Sequence, residues 1–427
     1  MSLVLKELEI IKHPLLKTEG KLTFSDGINL LVGKNGSGKT RMLEFLAKCV
    51  SFDFSDYPKD ELHVKFSISD NESKYSVKVE YHQALESVGS QNEIRERSLI
   101  YGNNFAKIKS CKIEVLNDGK NLFSITANNH FDGFYKSDHN KVEININKTV
   151  ESHLLNLLLS TLYMDSINEP EVLTAFDWLS DKFLVHPREL FGDSNKYYDL
   201  FFGKNVELEI RSAGKLVGII SQSKIFEESL DKIEINSATN LESKKLIPCN
   251  DFLLKEIAES LDYQELRLEI LTPSKKMLGT DGLSFSWNLK KNDFTIKIDD
   301  KTTIDYDELS YGEKRFTLLF FYIYENSELF LDEPIDGLHH SMIEDLVEKL
   351  SAEGKQSFIA NQSPVLFDYV EFDSKEQVLE KLVVCKKDED KKLLFSNPTK
   401  KMADGFYKDY ERNFLQVSEI LRHQEIW

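Results

Sequence analysis

Eight consecutive residues near the start of the chain, Gly33-Lys34-Asn35-Gly36-Ser37-Gly38-Lys39-Thr40, have the types and spacing needed to hold a phosphate. The G-x-x-x-x-G-K-T pattern is a P-loop. Its glycines let backbone N–H groups turn inward around phosphate oxygens, and a helix starting behind them adds partial positive charge. Lys39 is expected to neutralise the β- and γ-phosphates, and the Thr40 hydroxyl to complete a Mg²⁺ shell. An apolar run, INLLV, enters the loop. A stretch from Lys39 to about Val50 leaves it, with Met42, Leu43, Phe45, Leu46 and Val50 at helical spacing. A strand, a loop and a helix must therefore position the site.

A second set of chemically capable residues lies far downstream. LFLDEP (329–334) reads as a buried strand ending in two acids. Asp332 would hold Mg²⁺ through water, and Glu333 would polarise an attacking water as general base. A helix is predicted over about 312–326 before this strand, then a helix over about 340–353 and a further strand, QSFIAN. This β-α-β order is that of a parallel sheet with crossover helices. His339 and His340 are adjacent but have no other ligand at metal spacing, so no metal site is expected there.

The elements around these sets are of two kinds. HVKFSISD (63–70), KYSVKVEYH (74–82), CKIEVL (111–116), LFSITA (122–127) and KVEININ (141–147) alternate apolar and polar residues, predicting an antiparallel sheet with one wet face. From 151 the pattern turns helical in ESHLLNLLLSTLYMDSI, EPEVLTAFDWLSDKFLV and NDFLLKEIAESLD, with a less regular region over 188–249. Strands return in LRLEIL, LSFSWNL and DFTIKI. The tail, 410–427, reads as one amphipathic helix with Tyr410, Phe414, Val417 and Leu421 on one stripe, packing on its own domain or, as the alternative, docking a partner.

Composition narrows the class. The chain has 427 residues, 41% hydrophobic and 30% charged, as in ordinary globular proteins. Neither a signal peptide nor a membrane-spanning run is legible. The four cysteines, Cys49, Cys111, Cys249 and Cys385, form no CxxC pair and read as reduced, buried thiols, which implies a cytoplasmic address. The net charge of −18 disfavours a protein that grips duplex DNA through phosphates. The basic runs KKDEDKK (386–392) and 400–408 read as solvated surface, leaving nucleic acid as an optional partner.

LSYGEKR (309–315), preceded by KNGSGKT and followed by LDEPIDGLHH, resembles the signature motif and flanking motifs of ABC-type ATPases of the SMC, Rad50, RecF and OLD branch. The resemblance implies an α/β ATPase head, a mixed sheet plus an antiparallel β lobe, interrupted by a mainly helical insertion. The head would be built from 1–150 and 263–427, and the insertion from 151–262. It also implies a homodimer, or a higher oligomer, sandwiching ATP between the P-loop of one chain and the signature of another. Ser310 and Gly312 match the phosphate-facing positions, while Tyr311 departs from the small residue usual there. Asp336 to His339 match the D-loop that crosses the interface. Gln362, in FIANQSP, stands where related ATPases carry a switch histidine. Glutamine can hydrogen-bond but cannot carry a proton at neutral pH, so slow hydrolysis is implied. Gln83, Gln91 and Gln222 are all candidates for the Q-loop, and spacing does not choose among them.

About 270 positions separate Lys39 from Ser310, more than a transporter cassette uses, and no long coiled coil is present. The 63 residues after Pro364 leave no room for a Toprim nuclease. The tail ERNFLQVSEIL with its terminal Trp is similar to ATPase subunits of two-component anti-phage systems of the PARIS AriA or Septu PtuA type. The expectation is an ATP- and Mg²⁺-using switch ATPase that controls a separately encoded nuclease. The alternative is a RecF- or SMC-like DNA-binding clamp used in repair.

Overall fold

The computed structural model describes residues 3–51, 54, 57, 59–70, 74–87, 104–128, 132–137, 141–145, 205–213, 216–221, 247–248, 251–270, 274–278, 282–288, 294–299, 301–325, 328–413, 416–424 and 426. Two units emerge. The first comprises Met1–Leu190, Glu328–Asp332 and Gly354–Trp427, and the second Phe191–Ser327 and Glu333–Glu353.

In the first unit a six-stranded sheet runs in the order Glu328–Asp332, Gln356–Ala360, Ile28–Val32, Leu382–Lys387, Leu393–Ser396, Leu16–Thr18. The first four strands are parallel neighbours. The strands at 28–32, 328–332 and 356–360 are buried along their whole length, as parallel strands covered on both faces must be. Helix α1 (Lys39–Ser51) follows the P-loop and buries Met42, Leu43, Phe45, Leu46 and Val50, the positions its spacing predicts. These side chains share one core with Leu31, Phe330 and Phe358 of the parallel sheet and with Val64, Phe66, Val77 and Val79 of a second sheet.

That second sheet is antiparallel and eight-stranded, spanning Leu3–Lys12, Leu22–Thr23, Leu62–Asp70, Tyr75–Ser87, Asn104–Asn117, Lys120–Asn128, Asp132–Ser137 and Lys141–Asn145. Its alternation is as expected: Val64, Phe66 and Ile68 are buried while Lys65 faces water. Gln356 ties the sheets together. Its amide accepts from Leu5 N at 2.7 Å and donates to Leu5 O and Ser25 O at 2.8 Å each. Three bonds satisfy a fully buried polar group.

His13, in the turn after the first strand, accepts at Nδ1 from Leu15 N at 3.0 Å and Leu16 N at 2.9 Å, and packs edge-on against Phe45 and Tyr57. Burial, with Lys392 nearby, lowers its pKa from 6.5 to about 4. The unfolded chain therefore binds a proton that the folded chain refuses between pH 6.5 and 4, and stability falls as pH drops through that window. Wild type is expected to lose about 2 kcal/mol more than His13→Asn between pH 7 and pH 4.5, read by urea denaturation. Equal losses would contradict this account.

The C-terminal segment differs from the single helix expected. After α5 (Lys375–Lys381) it forms α6 (Lys400–Asn413) and α7 (Val417–His423); Phe414 lies outside the described residues. Asp368 explains where α7 starts, since its carboxylate accepts from Ser418 N at 2.7 Å and Ser418 Oγ at 2.9 Å. A remote side chain thus satisfies the first turn. Of the expected stripe, Val417 and Leu421 are buried and Tyr410 is half-buried against Phe372, so these three pack on their own unit, joined by buried Ile420.

The second unit holds α2 (Asp251–Ser260), α3 (Tyr311–Glu325) and α4 (His340–Ala352). Lys349 of α4 knits them: it donates to Glu256 at 2.6 Å, pairs with Glu353 at 2.9 Å and sits 5.9 Å over the Phe320 ring. Within 188–249, expected to be less regular, Asn205–Ala213 and Leu216–Ser221 form an antiparallel hairpin that joins Gly282–Asn288 and Ser274–Leu278. A second small sheet contains Ile247–Pro248, Glu265–Ile270, Phe294–Lys297 and Thr303–Asp305. The helices expected between 151 and 187 fall outside the described residues.

Candidate functional site

The strands at 28–32, 356–360 and 328–332 end in register, with Leu31 and Asp332 both paired to Ala360. Their carboxyl ends place the P-loop, Asn361 and Asp332 side by side, where parallel sheets bind ligands. The loop is tightly folded. Lys39 is buried and its Nζ donates to Gly33 O at 2.7 Å, and Ser37 N donates to Lys34 O at 3.1 Å. Gly33 is required by contact as well as conformation: a Cβ there would lie 2.2 Å from Cys385 O on the neighbouring strand. Lys34, Asn35, Gly36 and Thr40 are exposed and Gly38 is half-buried, so the loop keeps an open face.

Two features fit a polyphosphate with a divalent cation. The Ser37 hydroxyl is buried and has no hydrogen-bond partner among the described residues, and an incoming phosphate oxygen would satisfy it. The Asp332 carboxylate, 5% exposed at its strand end, and the Thr40 hydroxyl make an all-oxygen donor set suited to Mg²⁺. Among the described residues no cluster of three His, Cys, Asp or Glu forms a metal centre of its own. His339 caps α4, its Nδ1 accepting from Ser341 N, which gives this histidine a structural use.

Asn361 was not singled out by sequence reasoning. It is buried at the end of the middle strand, donates from Nδ2 to Ser363 O at 2.6 Å, and leaves its buried Oδ1 without a partner among the described residues. Gln362, the expected switch residue, is exposed beside it. Gln83, one of the three Q-loop candidates, is committed elsewhere. Its amide donates to Tyr57 O and Asp60 O at 2.7 and 2.9 Å and accepts from Tyr81 Oη at 2.8 Å. Gln91 and Gln222 lie outside the described residues. Burial raises the Cys111 and Cys385 thiols to about 12 and the Cys49 thiol well above its usual value, so none is a nucleophile at neutral pH.

In the second unit, the signature residues form the start of α3. Glu313 accepts from Ser310 N at 2.7 Å, and Ser310 Oγ accepts from Glu313 N at 3.3 Å. This reciprocal capping box fixes Ser310 while leaving its hydroxyl proton free to donate. Tyr263 Oη donates to Glu313 at 2.5 Å. Partial burial pulls the Glu313 pKa up, but the bonds from Ser310 and Tyr263 outweigh it and hold the carboxyl below its ordinary value. Ser310 and Tyr311 are exposed; an uncovered, pre-capped helix N-terminus can receive an anion. Glu333 is half-buried with φ of +52°, and Asp336 is exposed in the turn that follows, its N–H bonded to Glu333 O at 3.3 Å. Arg315, also missed, is buried behind the signature turn.

No described helix is long and apolar enough to cross a membrane. No curated protein matches the chain. Among solved structures, a chain from "Crystal structure of the SmcHead bound to the C-winged helix domain of ScpA" is similar at 13% identity and a TM-score of 0.41, over 92% of this chain and 97% of that one. The family model described as "AAA domain, putative AbiEii toxin, Type IV TA system" matches residues 28–368. With most of its length matched, and with a P-loop and an acidic strand end meeting in one sheet, the chain belongs to this family of AAA-domain ATPases.

Proposed function

We propose that this ATPase is a switch of the ABC type, in which ATP closes a homodimer and closure controls a separately encoded effector, a nuclease, in anti-phage defence. The observation that carries this reading is the exposed signature turn, whose Ser310 hydroxyl is oriented by Glu313 and free to donate. Such a turn is what the γ-phosphate held by another chain's P-loop requires. Gly33 to Thr40 hold the nucleotide, Thr40 and Asp332 hold Mg²⁺, and the ion supplies charge neutralisation between the phosphates. Glu333 accepts a proton from the attacking water. Gln362 orients without exchanging a proton, which makes turnover slow and the closed state long-lived. Two sites, each completed by the partner, give ATP the differential affinity for the closed form that a switch needs.

The family match supports the ATPase part of this reading, and the separate effector follows from the similarity of the tail to ATPase subunits of two-component systems. The PARIS or Septu type assignment rests on the tail motif alone. Size-exclusion light scattering of the wild type with Mg·ATP against Mg·ADP, beside co-purification with the products of neighbouring genes, tests the reading. The expected result is a doubling or more of mass with ATP only, and a nuclease in the eluate. A dimer that brings no protein and instead shifts DNA in a salt-sensitive way would favour the clamp. A mass indifferent to ATP would overturn both.

A further inference from the structure

Glu333 sits in an unusual backbone. Its φ of +52° is in the left-handed region, which residues with a side chain rarely adopt, and it precedes Pro334, whose ring further restricts it. Conformations of this kind persist only where neighbouring groups hold them. The Asp336 N–H donates to Glu333 O at 3.3 Å, and beside it one buried side chain holds the turn. Arg315 Nη2 donates to Glu333 O, and Arg315 Nε donates to Pro334 O at 3.3 Å. Two successive carbonyls are thereby clamped by one planar guanidinium.

The same guanidinium is joined to the signature turn. Arg315 lies one helical turn after Tyr311, and its Nη1 donates to Tyr311 Oη at 3.0 Å while standing 3.9 Å from the Asp336 carboxylate. The two loops also touch directly. A Cβ on Gly312 would come within 2.5 Å of Gly337 O, and a Cβ on Gly337, whose φ is +75°, would come within 2.6 Å of the Tyr311 ring. Thus residues 310–315 and 333–338 are locked by paired glycines, an aromatic ring and a shared cation.

We propose that Arg315 is a positioning residue that makes the signature turn and the Glu333 loop one mechanical piece, so that a phosphate engaged by the signature of a chain sets the carboxylate direction of that same chain. Because the phosphate engaged lies in the opposite site, each site then senses the occupancy of the other. Tyr311, the departure from the usual small signature residue, is part of the linkage: its ring closes over Gly337 and its hydroxyl anchors Arg315. The inference rests on the reading of Glu333 as the residue that polarises water.

The test uses the full-length Arg315→Lys and Tyr311→Phe proteins beside wild type, measuring equilibrium binding of a fluorescent ATP analogue, steady-state phosphate release over an ATP series, and thermal melting. Lysine lacks the planar fork that reaches Glu333 O, Pro334 O and the Tyr311 hydroxyl at once. Arg315→Lys is expected to bind the analogue within about two-fold of wild type while kcat falls about 10²-fold, the loss typical of a misplaced catalytic group. The ATP dependence of rate, expected to be sigmoidal in wild type, should become hyperbolic. Tyr311→Phe should show a smaller fall of about three- to ten-fold, again without change in binding. Unchanged kcat per folded molecule, or a fall matched by weaker nucleotide binding, would overturn the proposal by making Arg315 merely structural. If Arg315→Lys gives no melting transition, Tyr311→Phe decides alone, and wild-type kcat in it refutes the linkage. A wild type that binds ATP but never releases phosphate would instead sink the hydrolytic reading, and this inference with it.

Discussion

Two variants that are each inactive, Lys39→Ala and Ser310→Arg, are expected to recover ATP turnover when mixed. Lys39 is buried inside the P-loop with its ammonium on Gly33 O. Alanine there removes the charge that neutralises the phosphates of the chain's own nucleotide. Ser310 is exposed at the N-terminus of α3, where arginine would remove the hydroxyl and crowd the anion site without entering the core. In a homodimer of either variant both composite sites carry a lesion. In a heterodimer one site takes its P-loop from the Ser310→Arg chain and its signature from the Lys39→Ala chain, and both parts are intact. Random pairing then makes about a quarter of the sites whole, as expected for an isologous dimer, and turnover should stay below a quarter of wild type because the Glu333 beside each whole site follows a signature that faces an empty one. Phosphate release from an equimolar mixture at saturating Mg·ATP reads the outcome. A mixture no more active than its components would mean that the signature serves its own chain's nucleotide, and the sandwich arrangement would have to be abandoned.

The second large effect concerns Glu333→Gln. Glutamine keeps the length and shape of the side chain and makes the same backbone demands at φ of +52°, so the Arg315 clamp on the main chain should survive. What disappears is the acceptor for the water proton. A fall in kcat of about 10²–10⁴-fold is expected, equivalent to about 3–5 kcal/mol of barrier. Nucleotide affinity should change little, because the P-loop and Asp332 are untouched. Dissociation of the ATP-bound dimer after dilution should slow in parallel. Single-turnover hydrolysis combined with dilution kinetics measures both quantities. Retained turnover would show that another group takes the proton, with buried Asn361 and exposed Gln362 unable to do so because neither amide titrates near neutrality. Weakened ATP binding would assign Glu333 to the ground state instead.

Much of the site was legible because its chemistry is local. The P-loop is eight consecutive residues whose spacing alone specifies glycine conformations, a buried cation and a helix start. Met42, Phe45 and Leu46 share a face by helical geometry whatever surrounds them, and all three are buried. The Asp332 strand reads as buried because an unbroken apolar run can only sit in a covered sheet. Less legible were the hairpin at 205–221, which weak alternation did not reveal, and the break between α6 and α7. That break depends on Asp368, a partner some fifty positions away from Ser418.

By itself the sequence pointed to residues that can touch a nucleotide and to the order of strands and helices around them, since periodicity and capping act over a few residues. It could not determine which distant strands become neighbours. The pairing of 356–360 with 328–332 follows the local β-α-β order, but the pairing of 28–32 with 356–360, which brings Asn361 between the P-loop and Asp332, joins segments about 330 residues apart that no local pattern encodes. Nor could it show that burial gives Gln83, one of three candidate glutamines, three partners of its own. Arg315 and Glu333 illustrate the same division within the second unit. Each is visible in its motif, but the bond that joins them exists only because α3 and the turn after the acidic strand approach closely enough for two glycines to meet. Such contacts are decided by packing, where removing apolar surface from water selects one arrangement of elements whose local preferences allow many.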